Sequence, residues 1–235
     1  MNPVPPHVRR IAEDVLAARL PAADTVVVAG SSAAGTSTAT SDVDLLVLGP
    51  DAMLPDGSGS AAFTDERDGR PVEVFAYTAA GYREWAGREV EDCRPVVLVM
   101  LATGVPVRTG PSCAGLRAWA ADVLDAGPRV DRAALDTRRY HLTALVDDLA
   151  DATDPAESAV LRATVVTSLA ELLLLAHGRW LGYGKWLVRR LRAWDADVAD
   201  ALGAALAAGD TEQVLAVARP QLERLGGPLR AGFVR

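Results

Sequence analysis

Apolar residues return at helical spacing through residues 8–20, where Val8, Ile11, Ala12, Val15, Leu16 and Leu20 are separated mainly by Arg, Glu, Asp and Ala. That period predicts an amphipathic helix, closed by Pro21. The pattern then changes. Residues 25–29 (Thr-Val-Val-Val-Ala) and 42–48 (Asp-Val-Asp-Leu-Leu-Val-Leu) are short apolar runs rich in β-branched side chains, as in strands covered on both faces. Residues 71–77 alternate as a third strand, and Thr78 stands where a cap precedes a helix over residues 79–89. Residues 94–103 suit a helix better than a strand, and residues 105–108 suit a short last strand before Thr109-Gly110-Pro111. Residues 49–69 are rich in Gly, Ser and Asp and predict a loop or a hairpin with frayed edges, the flexible part of the first domain.

Strand signals stop after Pro111. Ala, Leu and Arg recur with helical period over residues 114–126, 131–152, 155–177, 184–194, 196–208 and 210–225, punctuated by Gly127-Pro128, Asp154-Pro155, Gly209-Asp210 and Gly226-Gly227-Pro228. The expected fold is α+β: a small mixed-sheet domain over residues 1–110, then an all-helical domain over residues 111–235. No internal repeat or sustained heptad is visible.

Composition narrows the partners. A chain of 235 residues, 50% apolar and 23% charged, fits two modest folded domains. The formal net charge of -7 argues against general nucleic-acid binding, while leaving room for a small or locally held polyanion. Cys93 and Cys113 have no metal-ligand spacing and are expected to be reduced thiols of a cytoplasmic protein. The opening residues lack the basic-then-apolar run of a secretory signal. No membrane association is expected, because the apolar runs stop short of a bilayer span; the strongest, residues 169–176, contains Glu171 and predicts a buried helix face.

The candidate chemistry lies in the first half. Carboxylates two apart on a strand share a face, so Asp42 and Asp44 can converge on one cation. Hard oxygen donors at this spacing suit Mg²⁺. Glu73, between Val72 and Val74, is an acid in an apolar strand and needs a metal or a cationic partner nearby. Asp65, Glu66 and Asp68 are alternative third ligands. Upstream, Gly30-Ser31 follows a buried strand and opens a run of small residues, where a serine hydroxyl and backbone amides can donate to phosphate oxygens.

The string Gly30-Ser31-Ser32-Ala33-Ala34-Gly35, a five-residue spacer, then Ser41-Asp42-Val43-Asp44 resembles the core motif of the DNA polymerase beta-like nucleotidyltransferase superfamily. Val-Glu-Val-Phe-Ala-Tyr around Glu73 also looks like the matching strand of the aminoglycoside nucleotidyltransferases. The resemblance implies Asp42, Asp44 and Glu73 as ligands of two Mg²⁺ ions, with Gly30, Ser31 and Ser41 at the triphosphate. It departs at Ala34, where many members carry Arg or another large polar residue, so some phosphate contact would have to come from elsewhere.

In the helical half, Arg179, Lys185, Arg189, Arg190 and Arg192 give five positive charges and no negative one between Gly178 and Ala193. This predicts a solvated helix face. The resemblance adds a sharper expectation, that Lys185 reaches the triphosphate across an interdomain cleft. Gly182-Tyr183-Gly184-Lys185-Trp186 is not a phosphate loop, because no strand precedes it and Trp186 replaces Ser or Thr. By the same resemblance Glu171 is a candidate general base; an ion pair with a neighbouring Arg explains it equally. His141 and His177 lack ligand spacing, and Trp180, Trp186 and Trp194 suit a helical core.

The implied activity is transfer of a nucleoside monophosphate from a nucleoside triphosphate, with ATP expected, to a hydroxyl of a small acceptor such as an antibiotic. A protein side chain, as in adenylylating antitoxins, is the alternative acceptor, and a non-catalytic nucleotide-binding protein the alternative class. A homodimer is compatible with all three.

Overall fold

The computed structural model describes residues 4–38, 41–230 and 233; the expectations touching residues 1–3, and positions 39–40 of the motif spacer, lie outside these. Its helices are α1 (Pro6–Arg19), α2 (Gly30–Ala34), α3 (Ala79–Glu91), α4 (Val96–Thr103), α5 (Leu116–Ala126), α6 (Arg132–Asp151), α7 (Pro155–Ala176), α8 (Lys185–Trp194), α9 (Ala196–Ala208) and α10 (Thr211–Arg224). Its strands are β1 (Thr25–Val28), β2 (Val43–Leu48), β3 (Ser60–Arg67), β4 (Arg70–Tyr77) and β5 (Val105–Arg108). The fold is α+β, a mixed sheet followed by helices.

The five strands run in the order β3-β4-β2-β1-β5. β2 and β4 are parallel, and the other neighbours are antiparallel. Strand period then sorts the side chains. Val43, Leu45, Val47, Val72 and Val74 face one way and bury against Val8, Ile11, Val15 and Leu16 of α1. Val27, Leu46, Leu48 and Tyr77 face the other way and bury with Tyr82 of α3, Leu98 and Leu101 of α4 and Leu116 of α5. The sheet is therefore a middle layer, which is why β1 and β2 read as continuous apolar runs.

Residues 49–69 are more regular than their composition predicts. Two single 3-10 turns, Asp51–Met53 and Pro55–Gly57, precede β3, which pairs with β4 from Ser60↔Tyr77 to Arg67↔Arg70. The misreading has a plain cause. β3 is an edge strand: Ala61 and Phe63 pack inward, while Ala62, Thr64 and Glu66 are exposed, so its apolar content is low. Arg19, at the end of α1, lies over the Phe63 ring at 4.7 Å and reaches Asp65 at 3.7 Å.

The chain divides into two compact units, Met1–Ala126 and Gly127–Arg235. The whole acidic excess lies in the first, since the second carries as many basic as acidic side chains. Within the second unit α7 packs against α6, α8, α9 and α10. Asp154 caps α7, accepting from the amides of Ala156 and Glu157 at 2.8 and 2.9 Å. Contrary to expectation, α7 is long and apolar enough to cross a membrane by length and composition, because the Ala, Ser and Thr between its leucines dilute Arg162 and Glu171. Its Val165, Leu169, Leu172, Leu173 and Leu174 are buried among the helices of the unit, as the core of a bundle requires. Cys93 and Cys113 are buried free thiols.

Candidate active site

The register between β2 and β4 builds the site. As parallel neighbours they set Asp44 directly opposite Glu73. Asp42, two residues before Asp44 and just ahead of the strand, falls on the same face. Their intervening valines, Val43 and Val72, point into the layer under α1. One carboxylate oxygen from each of Asp42, Asp44 and Glu73 lies within 4.8 Å of the other two, and all three residues are half-buried.

Three carboxylates so close repel one another, and partial removal from water strengthens the repulsion. Among the described residues, Asp42 and Glu73 have no ion pair or hydrogen bond from their carboxylates to relieve it. A hard divalent cation suits this donor set, since oxygen ligands at one point, with open positions for water and phosphate, match its coordination. The alternative third ligands lie elsewhere. Asp65 pairs with Arg67 at 2.8 Å and Asp68 with Arg10 at 2.8 Å, while Glu66 is exposed on the edge strand.

Gly30 closes the site on a third side. The Ala29 amide donates to the Asp44 carbonyl at 2.9 Å, which brings the start of α2 against β2. Gly30 has φ +59°, a left-handed conformation that favours glycine, and a Cβ built there would lie 1.8 Å from Asp44 Oδ2. Glycine is therefore required twice over, by the turn and by the carboxylate beside it. Ser31 is half-buried next to it. Ser32, 5% exposed, has a buried hydroxyl with no hydrogen-bond partner, a feature that the run of small residues did not signal. Ala34 is exposed at the end of α2. Ser41 Oγ accepts from the Thr38 amide at 2.8 Å and stiffens the turn leading to Asp42.

Glu171 and Lys185 belong to the second unit. Glu171, on α7, is met by Arg138 of α6 at 3.3 Å, the ion pair that the sequence allowed. Lys185 is the first residue of α8 and is exposed. His177 Nδ1 lies 2.8 Å from the Leu173 carbonyl, and its ring packs on Trp194. Trp180 is buried, as a core residue should be, whereas Trp186 is 41% exposed.

The comparisons agree with this geometry. Residues 8–84 match the family model of the nucleotidyltransferase domain, a span that contains Gly30, Ser31, Asp42, Asp44 and Glu73. No curated protein matches the chain. A nucleotidyltransferase-like protein from Exiguobacterium sibiricum is similar in structure, with a TM-score of 0.49 at 14% identity, 92% of this chain and 73% of that chain being covered. The chain therefore carries a nucleotidyltransferase domain, and the activity that goes with it is transfer of a nucleotidyl group.

Proposed function

We propose that the protein transfers a nucleoside monophosphate from a nucleoside triphosphate, ATP by preference, to a hydroxyl of a small acceptor in a Mg²⁺-dependent reaction. The observation that carries this reading is the meeting of Asp42, Asp44 and Glu73 within 4.8 Å on one face of the sheet. Bound Mg²⁺ would supply charge neutralisation on the phosphate oxygens and a lowered pKa for the attacking hydroxyl. The three acids would hold that charge at the ends of two paired strands, whose register fixes their spacing. Gly30 leaves the space beside Asp44 that a side chain would fill, and the Ser31 hydroxyl donates to a phosphate oxygen. The acidic excess of the first unit favours a cationic acceptor through its field.

Isothermal titration with ATP and Mg²⁺, followed by a pyrophosphate-release assay over a panel of hydroxylated acceptors, tests the reading. Asp44→Asn should lower transfer by roughly 10²–10³-fold, the loss of about 3–4 kcal/mol of charge stabilisation. It should also abolish the rise in melting temperature that Mg²⁺ gives the parent, without lowering stability in the absence of metal. Undiminished turnover in Asp44→Asn, or ATP binding without pyrophosphate release under any acceptor, sinks the proposal.

A further inference from the structure

The outward face of α8 has no part in the chemistry above, yet it reverses the charge of the protein. Its buried side is ordinary: Leu187 and Leu191 pack inward, and the helix lies against α7 and α9. On the other side, Trp186 has Arg189 and Arg190 three and four residues later, and Lys185 precedes Arg189 by four, so these four side chains form one continuous strip. The Arg189 guanidinium lies over the Trp186 ring at 4.7 Å, and Trp186 and Tyr183 are 41% and 61% exposed.

The strip also holds an uncompensated charge. Arg190 is half-buried, its Nε is fully buried without a hydrogen-bond partner, and among the described residues nothing else pairs with it. Burial pushes its guanidinium pKa down. Holding a cation out of water with no anion is costly unless a ligand brings the anion. Arg192 is not part of this deficit, because Asp200 meets it at 2.6 Å.

We propose that this face of α8 is a docking surface for single-stranded nucleic acid, its phosphates held by Lys185, Arg189 and Arg190 and a base stacked on Trp186. Charge complementarity and the exposed ring select this occupant. A strip of one sign interleaved with an aromatic suits a backbone of one sign with bases to stack. Anionic bilayers fit less well, because the apolar side of α8 that a lipid surface would take up is buried in the bundle. The proposal is independent of the transfer reaction and extends beyond it.

Fluorescence anisotropy of a labelled oligouridylate, titrated with the full chain over a range of salt, tests it. We expect saturable binding that weakens steeply with salt. Arg189→Gln combined with Arg190→Met should weaken it at least tenfold and lower the salt slope by roughly 1.4, about 0.7 for each phosphate released. Trp186→Ala should weaken it about tenfold with the slope unchanged. Asp42→Asn, which removes transfer, should leave oligonucleotide binding intact, so the two readings can fail separately. Absence of binding at low salt overturns the proposal, as do affinities unchanged in folded variants, displacement of the oligonucleotide by equimolar ATP, or preference for vesicles of anionic lipid.

Discussion

Replacing Gly30 by alanine separates the two reasons for a glycine there. The left-handed backbone costs an L-residue about 1–2 kcal/mol, offset by about 0.4–1 kcal/mol from a stiffer unfolded chain. Gly69 isolates that contribution, because it has φ +71° and nothing within 4 Å of a built Cβ. Gly69→Ala should therefore lose only about 0.5–1.5 kcal/mol in chemical denaturation and keep full transfer. At Gly30 the same backbone cost applies, but the new methyl would stand 1.8 Å from Asp44 Oδ2 and 2.8 Å from its Cγ, where ordinary contact begins at 3.4 Å. The carboxylate has to swing away, at a further rotamer cost of about 0.5–1.5 kcal/mol. A shift of that size in a reacting geometry costs about 100-fold in rate. Gly30→Ala should thus be less stable than Gly69→Ala, bind Mg²⁺ more weakly by calorimetry, and release pyrophosphate about 100-fold more slowly. Equal stability of the two variants with unchanged Mg²⁺ affinity would refute the packing of Gly30 against Asp44.

Other outcomes follow from single contacts. Ser32→Ala should leave stability unchanged or raise it by up to about 1 kcal/mol, since it removes a buried hydroxyl that bonds to nothing; a clear loss by thermal melting would mean that the hydroxyl has a partner. Asp154→Ala should cost about 1 kcal/mol in denaturant unfolding, because two amides at the start of α7 lose their acceptor. Burial raises the pKa of Glu89, against opposing hydrogen bonds from the Val97 amide at 2.8 Å and Trp85 at 3.1 Å. Its stabilising contribution is therefore full below the ordinary carboxylate range and lost as pH rises through the elevated folded value. Glu89→Gln should flatten the decline of stability on going from acid towards neutral pH, and an unchanged slope would count against that burial effect.

Much of the fold was legible because its periods are clean. β1 and β2 read as strands covered on both sides and are so; the Thr78 cap is made, with its hydroxyl accepting from the Gly81 amide at 3.1 Å. β3 escaped notice because an edge strand needs one apolar face only and its turn residues dominate the composition. α7 was underrated because averaging over a whole helix counts small residues that a run of leucines does not. At the candidate site, the spacing of Asp42 and Asp44 was visible as strand geometry, but their meeting with Glu73 was not, since no local pattern states which strands are neighbours or in what register. The contact of Gly30 with Asp44 was likewise invisible, because it joins residues whose only link in the sequence is a motif.

That the acids meet across two parallel strands makes turnover a gauge of strand alignment. Sliding β4 by one residue along β2 would exchange Glu73 for Val72 or Val74, leaving a valine beside Asp44 and driving a carboxylate into the greasy layer under α1. A chain that condensed in the wrong register would be unstable and inert together, so activity per mole of refolded protein would count only molecules whose two middle strands had found each other correctly.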